Sequence, residues 1–233
     1  MKVLVVAAHP DDEVLGCGGT MAAHAARGDE VRVLILGEGA ASRHAEAGAV
    51  SRAEISALEA AAAAAAQVLG AQAPRFGGLP DNRLDTVPLL NVVRQVETGV
   101  AEAGPEVVYT HFPGDTNIDH RIAFEAVITA CRPQPGAVKP AILCFEVPSS
   151  TEWRPPVAAP VFAPTWYVDI AGTLEAKLKA LAAYGTEIRS WPHPRSLEAV
   201  THLARWRGAS VGVAAAEAFV LARAFGLPGG GRP

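Results

Sequence analysis

Short runs of continuously apolar, mostly β-branched residues alternate along the chain with longer segments in which apolar residues recur every three or four positions. Continuous apolar runs of this length are typical of parallel strands buried on both faces, and the helical spacing predicts amphipathic helices between them. The predicted strands span 3–8, 31–36, 107–110, 141–147 and 165–170. The predicted helices span 13–27, 51–69, 89–103, 120–131, 173–184 and 211–225.

This alternation predicts an α/β fold in a single domain, with an open, mostly parallel sheet flanked by helices on both faces in a Rossmann-like arrangement. The length of 233 residues suits one such domain. We expect the domain to occupy 1–227 and a flexible Gly/Pro-rich tail to occupy 228–233. The segment 37–50, rich in Gly, Ala, Ser and Glu, is expected to be a mobile loop. The proline-rich segment 149–165 is too long for a simple connection and is expected to line a site.

The composition narrows the class of protein. Half of the residues are hydrophobic and 19% are charged, which excludes intrinsic disorder. The net charge is −4 and Lys and Arg are scattered, so the sequence lacks the basic patch of a nucleic-acid-binding protein. No apolar run reaches the ~18–20 residues of a membrane span, and no signal peptide precedes the first strand. We therefore expect a cytoplasmic protein that binds neither nucleic acid nor membrane.

The cysteines limit the kind of metal site. Cys17, Cys131 and Cys144 are widely spaced and form no Cys-x-x-Cys pair. An odd number of isolated cysteines fits a reducing compartment and argues against a disulfide framework or a thiolate zinc site. Any metal ligands in this chain are therefore expected to be His, Asp or Glu.

Polar residues follow the first predicted strand directly, in the sequence His9-Pro10-Asp11-Asp12-Glu13. Acidic residues in the first turn of a helix complement its dipole, which is a purely structural explanation for the three carboxylates. That explanation does not account for His9, nor for the position of Asp12, which one turn of chain can bring next to the His9 imidazole. An imidazole and a carboxylate are ordinary zinc ligands, and a catalytic zinc needs a third protein ligand.

A second polar loop, 111–120, follows the strand predicted at 107–110 and has a histidine at each end. His120 begins the next predicted helix and is placed to point back towards the first loop. Asp119 suits either a helix N-cap or a carboxylate that orients an imidazole. Because ligands of open α/β sheets bind at the carboxyl ends of the strands, we expect the two loops to lie at one site.

With these motifs the chain resembles the PIG-L/LmbE-like zinc N-deacetylases, which remove acetyl groups from amino sugars and related glycosides. The opening motif from His9 to Glu13 stands where that family has its signature. Further matches cover nearly the whole chain. They are Gly16, Gly18, Gly19, Arg52-Ala53-Glu54, Leu69-Gly70, Leu79-Pro80-Asp81, Asp119-His120-Arg121, Arg207-Gly208 and Ala216-Glu217-Ala218-Phe219.

The resemblance implies roles for individual residues. His9, Asp12 and His120 would bind one Zn²⁺ per chain, although Fe²⁺ or Co²⁺ suits the same ligands, and Asp11 would act as general base. Zinc lowers the pKa of bound water to about 7 and polarises an amide carbonyl, which promotes the addition of water to the acetyl group. Hydrolysis of that amide would give acetate and a free amine. Relatives in this family often form trimers or hexamers, so the resemblance implies that a homo-oligomer is to be expected.

Four further residues are expected to contact the N-acetylated sugar. Arg52 and Asp81 match family positions that hold sugar hydroxyls, and Asp115 and Asn117 offer further hydrogen-bonding groups for a polyol. An exposed helix position for Arg52 and an ordinary turn after Pro80 for Asp81 are the structural alternatives.

The sequence departs from the family pattern at Asn117, where many members have a histidine three residues before the last zinc ligand. An amide donates a hydrogen bond but is not an acid at neutral pH. The acid that protonates the leaving amine is therefore open between His193, His111 and Asp11. His193 is favoured because its place between two prolines stiffens its backbone, and packing against Trp191 is its structural alternative.

Three other functions compete with deacetylation. Cleavage of an amide in a thiol glycoside conjugate uses the same chemistry, and the sequence does not separate the two. A non-catalytic, metal-dependent glycan-binding protein is disfavoured because a closed structural zinc site needs no free carboxylate such as Asp11. A dinucleotide-binding module is disfavoured because Gly16, Gly18 and Gly19 lie inside a predicted helix and lack the GxGxxG spacing.

Overall fold

The computed structural model describes residues 1–39, 51–157 and 159–225. Its strands are β1 (Lys2–Ala7), β2 (Glu30–Gly37), β3 (Arg75–Leu79), β4 (Val107–His111), β5 (Ala141–Phe145), β6 (Trp166–Asp169) and β7 (Ala216–Arg223). Its helices are α1 (Asp12–Ala26), α2 (Arg52–Leu69), α3 (Leu89–Ala103), α4 (Ile118–Ala130), α5 (Leu174–Ala183) and α6 (Leu197–Ala209). Most of the loop expected at 37–50 and the whole tail expected at 228–233 lie outside the described residues.

The strands form one seven-stranded sheet in the order β3-β2-β1-β4-β5-β7-β6. The strands from β3 to β5 are parallel, whereas β7 runs antiparallel to both β5 and β6. Helices cover both faces, and β1 contributes Val3 and Val5 to one apolar core and Leu4 and Val6 to the other. The predicted single-domain, mostly parallel α/β fold is confirmed. Burial of both faces explains why the first strand is continuously apolar.

The prediction of a helix over 211–225 is wrong. β7 occupies Ala216–Arg223 and pairs with two strands, and Phe219 is fully buried in the core. The alanine content favours a helix locally, but backbone hydrogen bonding to β5 and β6 outweighs that preference. No local pattern shows which strands a segment will join.

Two elements lie outside the sequence-based prediction. α6 begins after Ser196, whose hydroxyl caps the helix by accepting a hydrogen bond from the N–H of Ala199 (3.0 Å). β3 is an edge strand in the Pro/Gly-rich stretch before residue 82. Its Gly77 approaches β2 so closely that a Cβ atom would lie 2.7 Å from the carbonyl oxygen of Leu36. The glycine therefore allows the pairing while it removes the apolar pattern of a strand.

The first helix is interrupted at Cys17, whose backbone φ of −147° is not helical. Glu217 of β7 accepts hydrogen bonds from the backbone N–H groups of Gly19 (2.9 Å) and Thr20 (2.6 Å) and so caps the second half of the helix. Lys177 of α5 pairs with Glu217 at 2.5 Å and donates to a carbonyl of the first half at 2.8 Å. This buried ion pair thus joins the two halves of the helix that begins with the polar motif.

We expect Glu217→Gln to lower the free energy of unfolding by about 3–5 kcal/mol, because it leaves the buried Lys177 ammonium without its charged partner. Urea denaturation followed by circular dichroism measures this change. Glu97→Gln is the matched control, since the ion pair of Glu97 with Arg132 is exposed and its loss should cost less than about 1 kcal/mol. A loss in Glu217→Gln as small as that of the control would contradict the stabilising role of the buried pair.

The cysteines and the helices bear on two further expectations. Cys17, Cys131 and Cys144 are buried and unpaired. Within the described ranges, no helix combines the length and the apolar character that a membrane span needs. The groups of described residues that could hold a metal ion consist of His and Asp side chains.

Candidate metal centre

The candidate site lies at the carboxyl ends of β1 and β4, the adjacent strands at which the strand order reverses. The loop after β1 supplies His9 and, at the start of α1, Asp12. The loop after β4 leads into α4, which supplies His120 in its first turn. Ligand atoms of these three side chains lie within 4.8 Å of one another. The structure therefore brings the three predicted metal ligands together.

Asp12 is at the centre of this set. Its Oδ2 atom lies 3.2 Å from Nδ1 of His9 and 3.2 Å from Nε2 of His120. Its Oδ1 atom is buried without a hydrogen-bond partner among the described residues, and so is Nε2 of His120, whose contact with Oδ2 lacks the geometry of a hydrogen bond. Each unpartnered buried polar atom costs about 1–3 kcal/mol, and a divalent cation between these atoms would remove that cost. Two imidazoles and one carboxylate suit zinc in a catalytic site, so the residues fit the metal.

Each histidine of the set turns its second ring nitrogen towards a buried carboxylate. Nε2 of His9 lies 3.0 Å from Oδ2 of Asp119, and Nδ1 of His120 lies 3.2 Å from Oδ1 of Asp115. Carboxylates in this position fix the tautomer and the orientation of a metal-binding imidazole. The backbone N–H of Leu84 donates to the other oxygen of Asp119 (2.9 Å). The sequence allowed Asp119 to be either a helix N-cap or a carboxylate that orients an imidazole. In the structure Asn117 is the N-cap of α4, and Asp119 lies against the imidazole of His9.

Asp115, predicted as a substrate contact, is fully buried beside His120. Ser150 donates to its Oδ1 atom, and Thr151 donates to its Oδ2 atom (2.6 Å). The backbone N–H of Asn117 also donates to Oδ1 (2.8 Å). With both oxygens engaged, the carboxylate orients His120 and is not available to a sugar hydroxyl. Ser150 and Thr151 come from the segment after β5, and no motif in the sequence marks them.

A second group, His9, Asp81 and Asp119, also brings three metal-ligating side chains together. Oδ1 of Asp81 lies 3.3 Å from Nε2 of His9. Both oxygens of Asp119 are already engaged, one by His9 and the other by a backbone N–H. In the group around Asp12, Oδ1 of Asp12 and Nε2 of His120 have no hydrogen-bond partner in the described part of the chain and are available to a metal ion. This group is therefore the better candidate for the metal site.

Asp11 stands between two members of the set in the sequence but belongs to neither group of ligand atoms. Its carboxylate is buried and accepts a hydrogen bond from Nη1 of Arg195 (3.0 Å). Burial raises the pKa of this carboxyl to about 7, against the opposite effect of the Arg195 guanidinium. A buried carboxylate that adjoins the metal ligands without being one of them suits a general base.

Glu13 fixes the backbone of the same loop. The hydroxyl of Tyr184 donates to Oε1 of Glu13 (2.6 Å), and the backbone N–H of Asp11 donates to Oε2 (3.1 Å). Burial raises the pKa of the Glu13 carboxyl to about 7, and the hydrogen bond from Tyr184 opposes that shift. Glu13 is thus more than a first-turn acid, because it ties the loop after β1 to the end of α5.

Positive φ angles outside glycine are concentrated at this site. Among the residues described, the non-glycine residues with positive φ are Asp11 (105°), Asn82 (51°) and Ser149 (70°). Such conformations cost about 1–3 kcal/mol each and persist where the surrounding structure holds them, most often at functional sites. Asn82 accepts a hydrogen bond from Nδ2 of Asn117 (2.9 Å), and Ser149 accepts one from Arg195 (2.7 Å).

Asn117, also predicted as a substrate contact, caps α4. Its Oδ1 atom accepts a hydrogen bond from the N–H of Asp119 (2.8 Å), while its Nδ2 atom donates to Asn82. Both ends of the amide thus have protein partners. The residue that replaces the family's histidine therefore serves the helix and the neighbouring turn in this structure.

His111, one of the three candidate acids, is the last residue of β4 and is fully buried. Its Nε2 atom accepts a hydrogen bond from the N–H of Ala8 (2.8 Å), and its ring stacks on His120 with the centroids 4.0 Å apart. Burial lowers the pKa of His111 well below its usual range, which favours the neutral ring. His111 is therefore placed to support the His120 ring and not to protonate a leaving group.

Arg52 lies in the first turn of α2 and lines an open cavity of about 190 Å³ together with Glu38 and Glu59. Gly37, at the end of β2, is also part of the cavity lining. A Cβ atom at Gly37 would lie 3.0 Å from the carbonyl oxygen of Ala8 and 3.5 Å from the ring of His9. One residue of the cavity lining thus packs against the loop that holds His9.

His193 is half buried in the segment between α5 and α6. Its Nδ1 atom accepts the backbone N–H of Arg195 (3.0 Å), so Nε2 carries the proton of the neutral ring. The ring meets Trp153 edge to face at 6.2 Å, whereas Trp191 contacts His202 instead. The structure therefore places His193 against Trp153 and not against Trp191. His193 also lies two residues before Arg195, whose side chain donates to Asp11.

The fold and the buried His-Asp-His set define an α/β protein with a candidate metal centre at the carboxyl edge of a Rossmann-like sheet. The family model of the GlcNAc-PI de-N-acetylases, PIG-L, matches residues 4–131, a range that includes all three candidate metal ligands. The chain belongs to the PIG-L family, and the resemblance found in the sequence is confirmed.

Individual relatives agree with this membership. The chain is 30% identical to the 1D-myo-inositol 2-acetamido-2-deoxy-alpha-D-glucopyranoside deacetylase of Rhodococcus erythropolis, over 82% of each chain. It is similar in structure to the conserved protein TT1542 of Thermus thermophilus, with 26% identity, a TM-score of 0.75 and all of both chains covered. It also shares its fold with GalB, the 4-carboxy-2-hydroxymuconate hydratase of Pseudomonas putida KT2440, with 23% identity, a TM-score of 0.77, and 99% of this chain and 100% of GalB covered. Since a hydratase has this fold, the fold alone does not identify the reaction.

Proposed function

We propose that this protein is a metal-dependent hydrolase that removes the N-acetyl group from an amino sugar or a related glycoside, giving acetate and a free amine. The observation that carries the proposal is the buried set of His9, Asp12 and His120 with unpartnered polar atoms, next to the non-ligand carboxylate of Asp11. The deacetylase of Rhodococcus erythropolis supports amide hydrolysis rather than hydration.

His9, Asp12 and His120 would hold one zinc ion per chain, because two imidazoles and one carboxylate leave a coordination position for water or substrate. When bound, zinc lowers the pKa of a water molecule to about 7 and polarises a carbonyl group. Fe²⁺ or Co²⁺ fits the same donors. Asp119 and Asp115 keep the two imidazoles in the tautomers that metal binding requires.

Asp11 is the proposed proton carrier of the reaction, and His193 is the proposed hydrogen-bond donor. Asp11 accepts the proton that is released when water adds to the acetyl carbon, because its carboxylate is buried next to the metal ligands. The amine must leave protonated, since an amide anion is too poor a leaving group, and Asp11 passes to it the proton taken from water. The Nδ1 atom of His193 is engaged by a backbone N–H, so its neutral ring offers the Nε2–H as the proposed hydrogen-bond donor to the developing oxyanion.

The cavity of about 190 Å³ lined by Arg52, Glu38 and Glu59 is the proposed sugar site. Its Arg52 guanidinium is the proposed donor to sugar hydroxyls, and the Asp81 carboxylate, which lies beside His9 outside the cavity lining, is the proposed acceptor. Glu38 and Glu59 make the cavity polar, which suits a polyol better than an apolar acyl chain. A thiol glycoside conjugate presents the same sugar and the same amide, so it is the alternative substrate class.

The test of the proposed function is acetate release from a panel of N-acetylated sugars, nucleotide sugars and thiol glycosides. The protein is assayed as purified, after treatment with a chelator and after zinc is restored. We expect at least one substrate to release acetate in a metal-dependent way, and the responsive substrate identifies the acceptor class. If no substrate releases acetate and each chain holds one metal ion tightly, a glycan-binding protein or an amidase for another acyl group is favoured instead.

We expect His193→Ala to lower kcat about 100-fold, the lower end of the effect of losing one oxyanion donor, with a smaller change in KM. The reason is that the negative charge on the acetyl oxygen develops in the transition state, so a hydrogen bond to it contributes more there than to substrate binding. Steady-state kinetics of acetate release measures both constants. His202→Ala is the matched control, because His202 is an exposed histidine of α6. An unchanged kcat in His193→Ala would remove His193 from the mechanism.

A further inference from the structure

Arg195 reaches the site from the segment between α5 and α6. Its guanidinium donates from Nη1 to Oδ2 of Asp11 (3.0 Å) and from Nε to Oγ of Ser149 (2.7 Å). Oε2 of Glu187 lies farther away, 4.0 Å from Nη1. One side chain thus joins the loop after β1 to the loop after β5.

Both residues that accept hydrogen bonds from the Arg195 guanidinium have a left-handed backbone, with φ of 105° at Asp11 and 70° at Ser149. Residues other than glycine keep such conformations where contacts hold them in place. The N–H of Asp11 donates to Glu13, which holds the backbone, and the carboxylate of Asp11 is held by Arg195. The orientation of this carboxylate therefore depends on the guanidinium.

Arg195 is itself well fixed. Its backbone N–H donates to Nδ1 of His193 (3.0 Å), and the next residue, Ser196, caps α6. The Arg195 side chain is only 25% exposed, and its Nε and Nη1 atoms are both engaged by the protein. A preorganised arginine of this kind is suited to hold another side chain rather than to bind a substrate.

We propose that Arg195 is a positioning residue of the hydrolytic reaction, which holds the Asp11 carboxylate in the orientation in which Asp11 accepts a proton. This inference rests on the proposed function of the site. A catalytic group must be held within about 0.5 Å and 10–20° of its productive geometry. Loss of Arg195 should therefore slow turnover and leave zinc and substrate binding as they are.

In the zinc-loaded enzyme, Arg195→Ala is expected to lower kcat about 10- to 100-fold, with KM and zinc content unchanged. Guanidinium added to Arg195→Ala should restore part of the lost kcat, because the small cation can occupy the space next to Asp11. It should not restore Asp11→Asn, which lacks the carboxylate. Arg189→Ala is the matched control, since Arg189 is an exposed arginine of the same segment whose Nη1 atom donates to the carbonyl of Thr186 (2.7 Å).

Three results in the kinetic experiment would overturn the proposal: wild-type kcat in Arg195→Ala, a loss confined to KM, or loss of zinc. If the wild-type enzyme releases no acetate from any substrate, the proposed function fails instead, and crystal structures of zinc-loaded wild type and Arg195→Ala then decide on Arg195. We expect the Asp11 carboxylate of the variant to leave its wild-type position while His9 and Asp12 stay in place. An unmoved Asp11 carboxylate overturns the proposal independently of the reaction.

Discussion

Asp11→Asn is expected to lower kcat about 10²- to 10⁴-fold while the protein keeps its zinc. The amide cannot accept the proton of the attacking water, and Asp11 belongs to neither group of metal-ligating atoms. Asparagine also has the size of aspartate and tolerates the left-handed backbone at this position, where φ is 105°, so the variant should fold. Kinetics of acetate release and elemental analysis of zinc are measured on the same preparation.

Asp85→Asn is the matched control for this experiment. Asp85 is exposed in the 3-10 turn at Leu84–Thr86, next to the residue whose N–H holds Asp119, and its variant should have wild-type kcat. Loss of zinc from Asp11→Asn would make Asp11 a metal ligand. Wild-type turnover in Asp11→Asn would mean that another group accepts the proton.

His120→Ala is expected to abolish both stoichiometric zinc binding and acetate release. The substitution removes one of the three proposed donors, and a catalytic zinc site needs three protein ligands. It also leaves the Asp115 carboxylate without the imidazole that it orients. Zinc per chain after dialysis, followed by the acetate assay with zinc added, measures the two losses.

His202→Ala serves again as the control, because its ring is exposed and far along the chain from the candidate ligands. The result also discriminates between the two groups of ligand atoms. If His120→Ala keeps one tightly bound zinc ion per chain, the metal is bound by His9, Asp81 and Asp119 and the proposed centre is wrong.

The accuracy of the fold prediction depends on how each element is buried. β1 could be recognised because it contributes apolar residues to both cores, which makes its sequence continuously apolar. β7 could not, because the alanines of Ala216–Arg223 favour a helix until β5 and β6 supply hydrogen-bond partners. β3 could not be predicted either, because the close approach to β2 requires Gly77, and a glycine contributes no apolar side chain to the pattern of a strand.

The candidate ligands were accessible to sequence analysis because each lies at the end of a recognisable strand or at the start of the helix that follows. His9 and Asp12 follow β1 and His120 follows β4, so the rule about the carboxyl ends of parallel strands brings the two loops together, and the family resemblance indicates His120 as the third ligand. The residues that orient them were only partly accessible. Asp119 was predicted for such a position, but Asp115 was predicted to bind substrate and lies beside His120 instead.

The amino-acid sequence thus determines the α/β class, the family and the three candidate ligands, because periodic burial and short motifs are local properties of a chain. Only the tertiary structure shows that Ser150 and Thr151 hold Asp115, and that Arg195 holds Asp11. These contacts join segments that are distant in sequence, and their geometry depends on how the loops after β1, β4 and β5 pack at one edge of the sheet. Hydrogen bonds act over about 3 Å, so no local pattern encodes which distant partners will lie within that distance.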